Sequence, residues 1–193
     1  MPHWQQSGAT YFLTFRLLDS LPSGLIRDWV DERKTWLRHH PKPWSTEDEV
    51  EYRSRFDAKI DQWIDSGMGS CLFKDRGCRD ILEGVFRSSS GVDCCFHAWV
   101  IMPNHVHMIL TMVVGKSLES LVKYWKGASA RRINAHLARK GGLWQKDYHD
   151  RIVRNDVHLA SCLSYIRRNP VEAKLDACGF SHYESEFARG ISD

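Results

Sequence analysis

The sequence predicts an α+β fold, a ferredoxin-like antiparallel sheet with helices packed on one face. Three observations carry this expectation. Stretches at 9–18, 95–102 and 105–113 are rich in aromatic and β-branched residues, as strands are. The last two are separated only by "PN", which makes them a hairpin and therefore an antiparallel pair. The segments around them repeat their apolar residues near a 3.6 period, so helices alternate with strands in a split β-α-β order.

Taken in order, "ATYFLTFRLL" (9–18) is the opening strand. "SGLIRDWVDERKTWLRHH" (23–40) places Leu25, Ile26, Trp29, Val30 and Trp36 near a helical period. "PKPWST" interrupts it, and Ser45 or Thr46 caps a second helix over 47–67 that Gly67 and Gly69 end. A shorter helix is expected at 76–88. "CFHAWVIM" and "HVHMILTMV" form the hairpin. The stretch 116–142 is helical, with Ser117 as N-cap, Gly141–Gly142 as stop and Gly127 as a point where it can bend or split. Residues 143–153 read as an extended piece. A last helix, about 155–169, is capped by Asn155 or Asp156 and ended by Pro170, and 176–193 is a tail.

With 193 residues and no linker or repeat, the chain is expected to form one domain over 1–193. No apolar run nears the roughly 20 residues that cross a bilayer, and the first residues lack a basic-then-apolar leader, so a cytoplasmic protein is expected. Six cysteines contain no C-x-x-C pair. A zinc set of Cys71, Cys78, Cys94 and His97 can be written, but its spacing matches no common finger, and small reduced thiols are the better reading. The net charge of +3 hides an asymmetry: residues 115–175 hold 13 Lys+Arg against 5 Asp+Glu, while residues 1–114 hold 13 against 15. A basic stretch of this kind suits a polyanion, although a solvated helix face would look the same.

The chemistry begins at "MPNHVHMIL" (102–110). Strand residues i and i+2 share a face, so His105 and His107 project side by side, which is half of a metal site. Ordinary histidines on a strand would show the same pattern. In the last helix Leu159, Cys162, Leu163 and Ile166 form the apolar stripe, and Tyr165 and Asn169, one turn apart, share another face with His158. A phenol and an amide beside Arg167 and Arg168 have the character of a nucleophile next to a metal ligand. A partly buried tyrosine with Asn169 closing the helix is the structural alternative.

"MPNHVH", "KGASARRIN", "GGLWQKDYHDRIVRN" and "YIRRNPVEAKL", in that order, closely resemble the REP-associated tyrosine transposases. These are single-tyrosine members of the HUH endonuclease superfamily, U being a hydrophobic residue. "PHWQQSGATYFLTFRLLDSLP" is similar to the family's opening strand, so the resemblance spans roughly 3–183. It implies that His105 and His107 are metal ligands with Val106 as U, on a central strand of a ferredoxin-like sheet. It further implies that Tyr165 is the nucleophile and that Asn169 completes the metal site. Ala128–Ser129 depart from the pattern, where an aromatic and a threonine are expected after "KG", which puts DNA contacts there in doubt.

The implied activity is a metal-dependent cleavage of single-stranded DNA, or DNA at the foot of a hairpin, through a 5′-phosphotyrosine link, with Mg²⁺ or Mn²⁺ as cofactor. Lys126, Arg131, Arg132, Arg151, Arg154, Arg167 and Arg168 are the expected DNA contacts, with Trp125 and Trp144 as stacking platforms unless they anchor the core. A monomer and a homodimer both remain open, since related transposases can exchange the tyrosine helix between subunits. The rival readings are a non-catalytic, domesticated module that only binds hairpins or single strands, and a metal-dependent hydrolase that uses water instead of tyrosine.

Overall fold

The computed structural model describes residues 8–192; the segment before Gly8, which includes the first part of the family-like opening stretch, and Asp193 lie outside the described residues. Five strands form one antiparallel sheet: β1 (Thr10–Arg16), β2 (Cys94–Ile101), β3 (His105–Met112), β4 (His149–Ile152) and β5 (Ser181–Glu184), in the order β4-β1-β3-β2-β5. The fold is α+β, and its first four strands have the spatial order of a split β-α-β sheet. Strand β3 is central, with Thr14 opposite His107 and Arg16 opposite His105 on β1.

The helices cover both faces, not one. On one face, α4 (Arg76–Arg87) and α5 (Leu118–His136) bury Tyr11, Leu13 and Phe15 of β1 with Val106, Met108 and Leu110 of β3. On the other, α6 (Asp156–Glu172) lays Leu159, Cys162, Leu163 and Ile166 against Phe12, Ala98, Val100 and Ile109. The physical reason lies in β3, where seven of eight residues are buried. A strand apolar on both sides must be covered on both sides.

The tail also differs from expectation. Strand β5 pairs with β2, and a short helix α7 (Glu186–Arg189) buries Ala188 beneath α6. "SHYE" is too short and polar to announce a strand, and β2 supplies the pairing. The two N-cap signals hold, but the expected stops do not: α5 ends at His136, before Gly141–Gly142, and α6 runs past Pro170. Ser117 accepts from Ser120 N and Asn155 from His158 N, each an N-cap worth about 1 kcal/mol. Helix α5 runs through Gly127 without a break. Pro170 lies inside α6, which continues to Glu172. Among the described residues no helix is long and apolar enough to cross a membrane.

Between β1 and α4 the chain makes a helical excursion: α1 (Ser23–His39), α2 (Thr46–Tyr52) and α3 (Ala58–Asp65), the last two joined by a π-helical turn over 53–57. Trp36, Tyr52 and Phe56 form a small core of their own, with Trp29 and Trp44 packed on it. Its two ends meet where Ser70 N donates to Asp19 Oδ2 at 2.9 Å. Gly69 permits this approach: its φ is +86°, and a Cβ there would lie 2.4 Å from Asp19 O.

Candidate active site

The inner face of β3 and the tyrosine face of α6 converge on one cluster. His105 and His107 are both buried, and their rings lie 4.6 Å apart between centroids. Tyr165, partly buried, brings Oη to 3.4 Å from His107 Nε2, with Phe12 of β1 against its edge. Asn169 is buried one turn later. The four residues singled out by spacing therefore meet on the same side of the sheet.

Neighbouring polar side chains set the ring orientations. Asn104 Nδ2 donates to Ile64 O at 3.0 Å and Met68 O at 2.9 Å, which fixes its amide. Its Oδ1 then faces His105 Nδ1 at 2.8 Å, so that nitrogen carries the proton and Nε2 presents its lone pair. Thr14 Oγ1 lies 2.7 Å from His107 Nδ1 in the equivalent place. Burial, with the Arg16 guanidinium adding to it, pushes His105 down to about 3. Burial and then the neighbouring His105, Arg151 and His149 hold His107 well below its ordinary value. Both rings are neutral near pH 7, the form that binds metal.

An acidic side chain joins them. Asp65, at the end of α3, places Oδ1 3.3 Å from His105 Nε2, and its Oδ2 accepts from Asn169 Nδ2 at 3.3 Å. Asp65, His105 and His107 each bring a ligand atom within 4.8 Å of the others. His105 Nε2 and Asn169 Oδ1 are buried with no hydrogen-bond partner. Orphaned acceptors of this kind fit a site built for a cation.

The expected DNA contacts divide. Arg131, Arg132, Arg151, Arg154 and Arg168 are exposed. Arg151 lies on the site face, 4.5 Å above the Phe12 ring. Lys126 is committed elsewhere: its Nζ donates to Gln145 O, Lys146 O and Asp147 O at 2.9–3.3 Å, and burial lowers it to about 8. Arg167 is likewise committed, to Glu184 Oε1 at 2.9 Å and Ile191 O at 3.0 Å, and ties the tail to α6.

The tryptophans are core residues, with Trp125 fully buried and donating to Ser89 Oγ and Trp144 donating to Ser129 Oγ, each at 2.9 Å. Ala128 and Ser129 are buried beside them, so their departure from the family pattern alters packing and not an exposed DNA surface. Tyr124 is half-exposed on α5, across the sheet from the histidines. The four residues of the zinc set do not meet. Cys78 lies near Asp75 and His136 instead, while His97 bonds Thr111.

Sequence reasoning missed Asp65, Asn104, Thr14 and Arg16. Thr14 and Arg16 carried a signal, two polar residues at i and i+2 in an apolar strand, the same pattern that marked the histidines. Asp65 carried none, being one carboxylate of several on a charged helix.

None of the curated proteins matches the chain. Several solved structures resemble it distantly, two of them transposases. One is a REP-associated tyrosine transposase bound to a REP hairpin, at 18% identity and a TM-score of 0.47, covering 89% of this chain and 74% of that one. The other is a candidate transposase from Deinococcus radiodurans R1, at 19% identity and a TM-score of 0.37, covering 88% and 95%. The family model described as "Transposase IS200 like" matches residues 72–169, which run from the turn before α4 to Asn169 and take in the hairpin and Tyr165. By that match, which spans just over half of its length, the chain belongs to the IS200-like transposase family.

Proposed function

We propose that the chain is a metal-dependent tyrosine nuclease and strand transferase that cleaves single-stranded DNA at or near a hairpin. The observation that carries this reading is the approach of Tyr165 Oη to His107 Nε2, beside two buried acceptors that lack hydrogen-bond partners. Leaving such atoms unpaired costs about 1–3 kcal/mol each, which a folded protein tolerates where a ligand satisfies them.

His105, His107 and Asn169 would hold Mg²⁺ or Mn²⁺, which when bound offsets the negative charge that develops on the phosphate. The remaining work falls to side chains. Tyr165 Oη, its proton passing to solvent, attacks phosphorus, and the departing O3′ takes up a proton from solvent. The Oη–P bond forms, the P–O3′ bond breaks, and the strand is left as a 5′-phosphotyrosine and a free 3′-OH. Thr14 and Asn104 hold the two imidazoles in the orientation the site requires. Arg16, partly buried beside His105, and exposed Arg151 supply positive charge on the same face. Arg131, Arg132, Arg154 and Arg168 would take the outlying phosphates.

The hairpin part of the reading rests on the family-like segments around Tyr165 and the histidine pair. The test uses 3′-end-labelled single strands that carry a hairpin with unpaired flanks, incubated with the protein and Mn²⁺ and run on a denaturing gel. The expected result is a labelled protein–DNA adduct that chelator prevents. Cleavage without an adduct would instead indicate a water-using hydrolase, and retention of intact DNA would indicate a binding module.

A further inference from the structure

The helical excursion between β1 and α4 lies outside the residues the family model matches, yet its last helical turn reaches the histidine pair. Asp65 ends α3 there, and Asn104 holds it in place. One amide therefore anchors the end of α3, through Ile64 O and Met68 O, and also sets the ring of His105. The carboxylate and the imidazole are positioned against each other by a single side chain.

Their contact is not a hydrogen bond. His105 Nδ1 carries the proton that Asn104 Oδ1 accepts, so Nε2 meets Asp65 Oδ1 lone pair to lone pair at 3.3 Å. Two electron-rich atoms at that distance repel unless a positive charge lies between them. The spacing suits that role, since adjacent ligands of an octahedral ion with bonds near 2.1 Å stand about 3 Å apart. The other carboxylate oxygen accepts from Asn169 Nδ2, which leaves Asn169 Oδ1 as the amide atom without a hydrogen-bond partner.

We infer that Asp65 is a fourth ligand of the cation, with Oδ1 as donor atom, supplied by the helical excursion. This rests on the metal reading of His105, His107 and Asn169 given above. It adds what that set lacks, because two imidazoles and an amide are neutral, whereas Mg²⁺ and Mn²⁺ favour an anionic oxygen. The excursion is thereby part of the active site, its last helix supplying a ligand.

The test measures Mn²⁺ binding to the full chain by the electron paramagnetic resonance of free Mn²⁺, and the melting temperature with and without Mn²⁺. The wild type is expected to bind one Mn²⁺ and to melt higher with it. Asp65→Asn, which keeps the shape and removes the charge, is expected to weaken binding at least about tenfold and to shrink the Mn²⁺-dependent rise. His105→Ala should abolish binding. Undiminished Mn²⁺ affinity in Asp65→Asn, with binding lost in His105→Ala, overturns the inference and leaves the metal reading standing. The same holds if Asp65→Asn lowers only the metal-free melting temperature while the Mn²⁺ increment persists, since that is a structural role. Binding undiminished in His105→Ala, or absent from the wild type, removes the metal reading itself.

Discussion

Tyr165 Oη and His107 Nε2 stand 3.4 Å apart within one chain, α6 packing directly on the strand that carries the histidine. The residues of the candidate site thus come together within a single chain.

Two predictions attach to that pair. Tyr165→Phe removes one oxygen, so the fold and Mn²⁺ binding should survive while adduct formation falls by about a thousandfold or more. Tyr124→Phe, across the sheet, should retain it. Mixing Tyr165→Phe with His107→Ala should restore no cleavage, because neither chain then contains a whole site. Adduct recovered from the mixture, or a peptide linked at residue 124 in mass spectrometry, would sink the assignment.

Affinity for DNA should fall steeply with salt. Arg131 and Arg132 are exposed on α5, and each phosphate left without its cationic partner reduces the steepness of the log–log plot by about 0.7 for a single strand. The double variant to Gln is expected to flatten the slope by about 1.4 if both residues touch phosphate. A slope equal to the parent's would make this stretch a solvated face.

Acid should destabilise the metal-free protein early. Burial holds His105 at about 3 and His107 well below its ordinary value, whereas both titrate near 6.5 once unfolded. Below pH 6.5 the unfolded chain therefore takes up protons that the folded chain refuses, and stability drops as pH falls toward 3. Melting temperatures measured in chelator should be flat from pH 8 to 7 and decline from 6.5 to 5. The double variant His105→Gln, His107→Gln should decline less over that window. An identical decline would show that other groups control it.

Asn104→Ala should be costly for a turn residue. It removes two bonds to the end of α3 and one to His105, two of the three buried and the third partly so, and the expected decrease in stability is about 2–4 kcal/mol in urea unfolding. A decrease under about 0.5 kcal/mol would mean that these bonds are replaced by water.

The parts of the site that could be read from the sequence are those governed by a single element's period. Alternation along β3 put His105 and His107 on one face, and the turn of α6 put Tyr165 beside Asn169. Asp65 reaches the cluster only because α3 docks on the hairpin turn, a contact between segments some 40 residues apart that no local pattern encodes. Placement of helices on both sheet faces escaped for a related reason: each helix signals that it has an apolar stripe, not which face will receive it. Lys126 and Arg167 looked like DNA contacts because composition records charge and not the carbonyls or carboxylates that the charge meets.

The order of the strands sets a limit on what can reach the tyrosine. Arg131 and Arg132 lie on α5, over one face of the sheet, and Tyr165 lies over the other. Strand β4, only four residues long, forms the edge on the β1 side, and Arg151 and Arg154 stand on it and just past its end. A nucleic acid strand that touched α5 and entered the candidate site by this edge would have to pass from one face of the sheet to the other. Duplex DNA, stiff over about 150 base pairs, resists such a turn at a cost of several kcal/mol, and an unpaired strand follows it at little cost. If Tyr165 is the nucleophile, the short edge would therefore favour flexible DNA over the intact double helix.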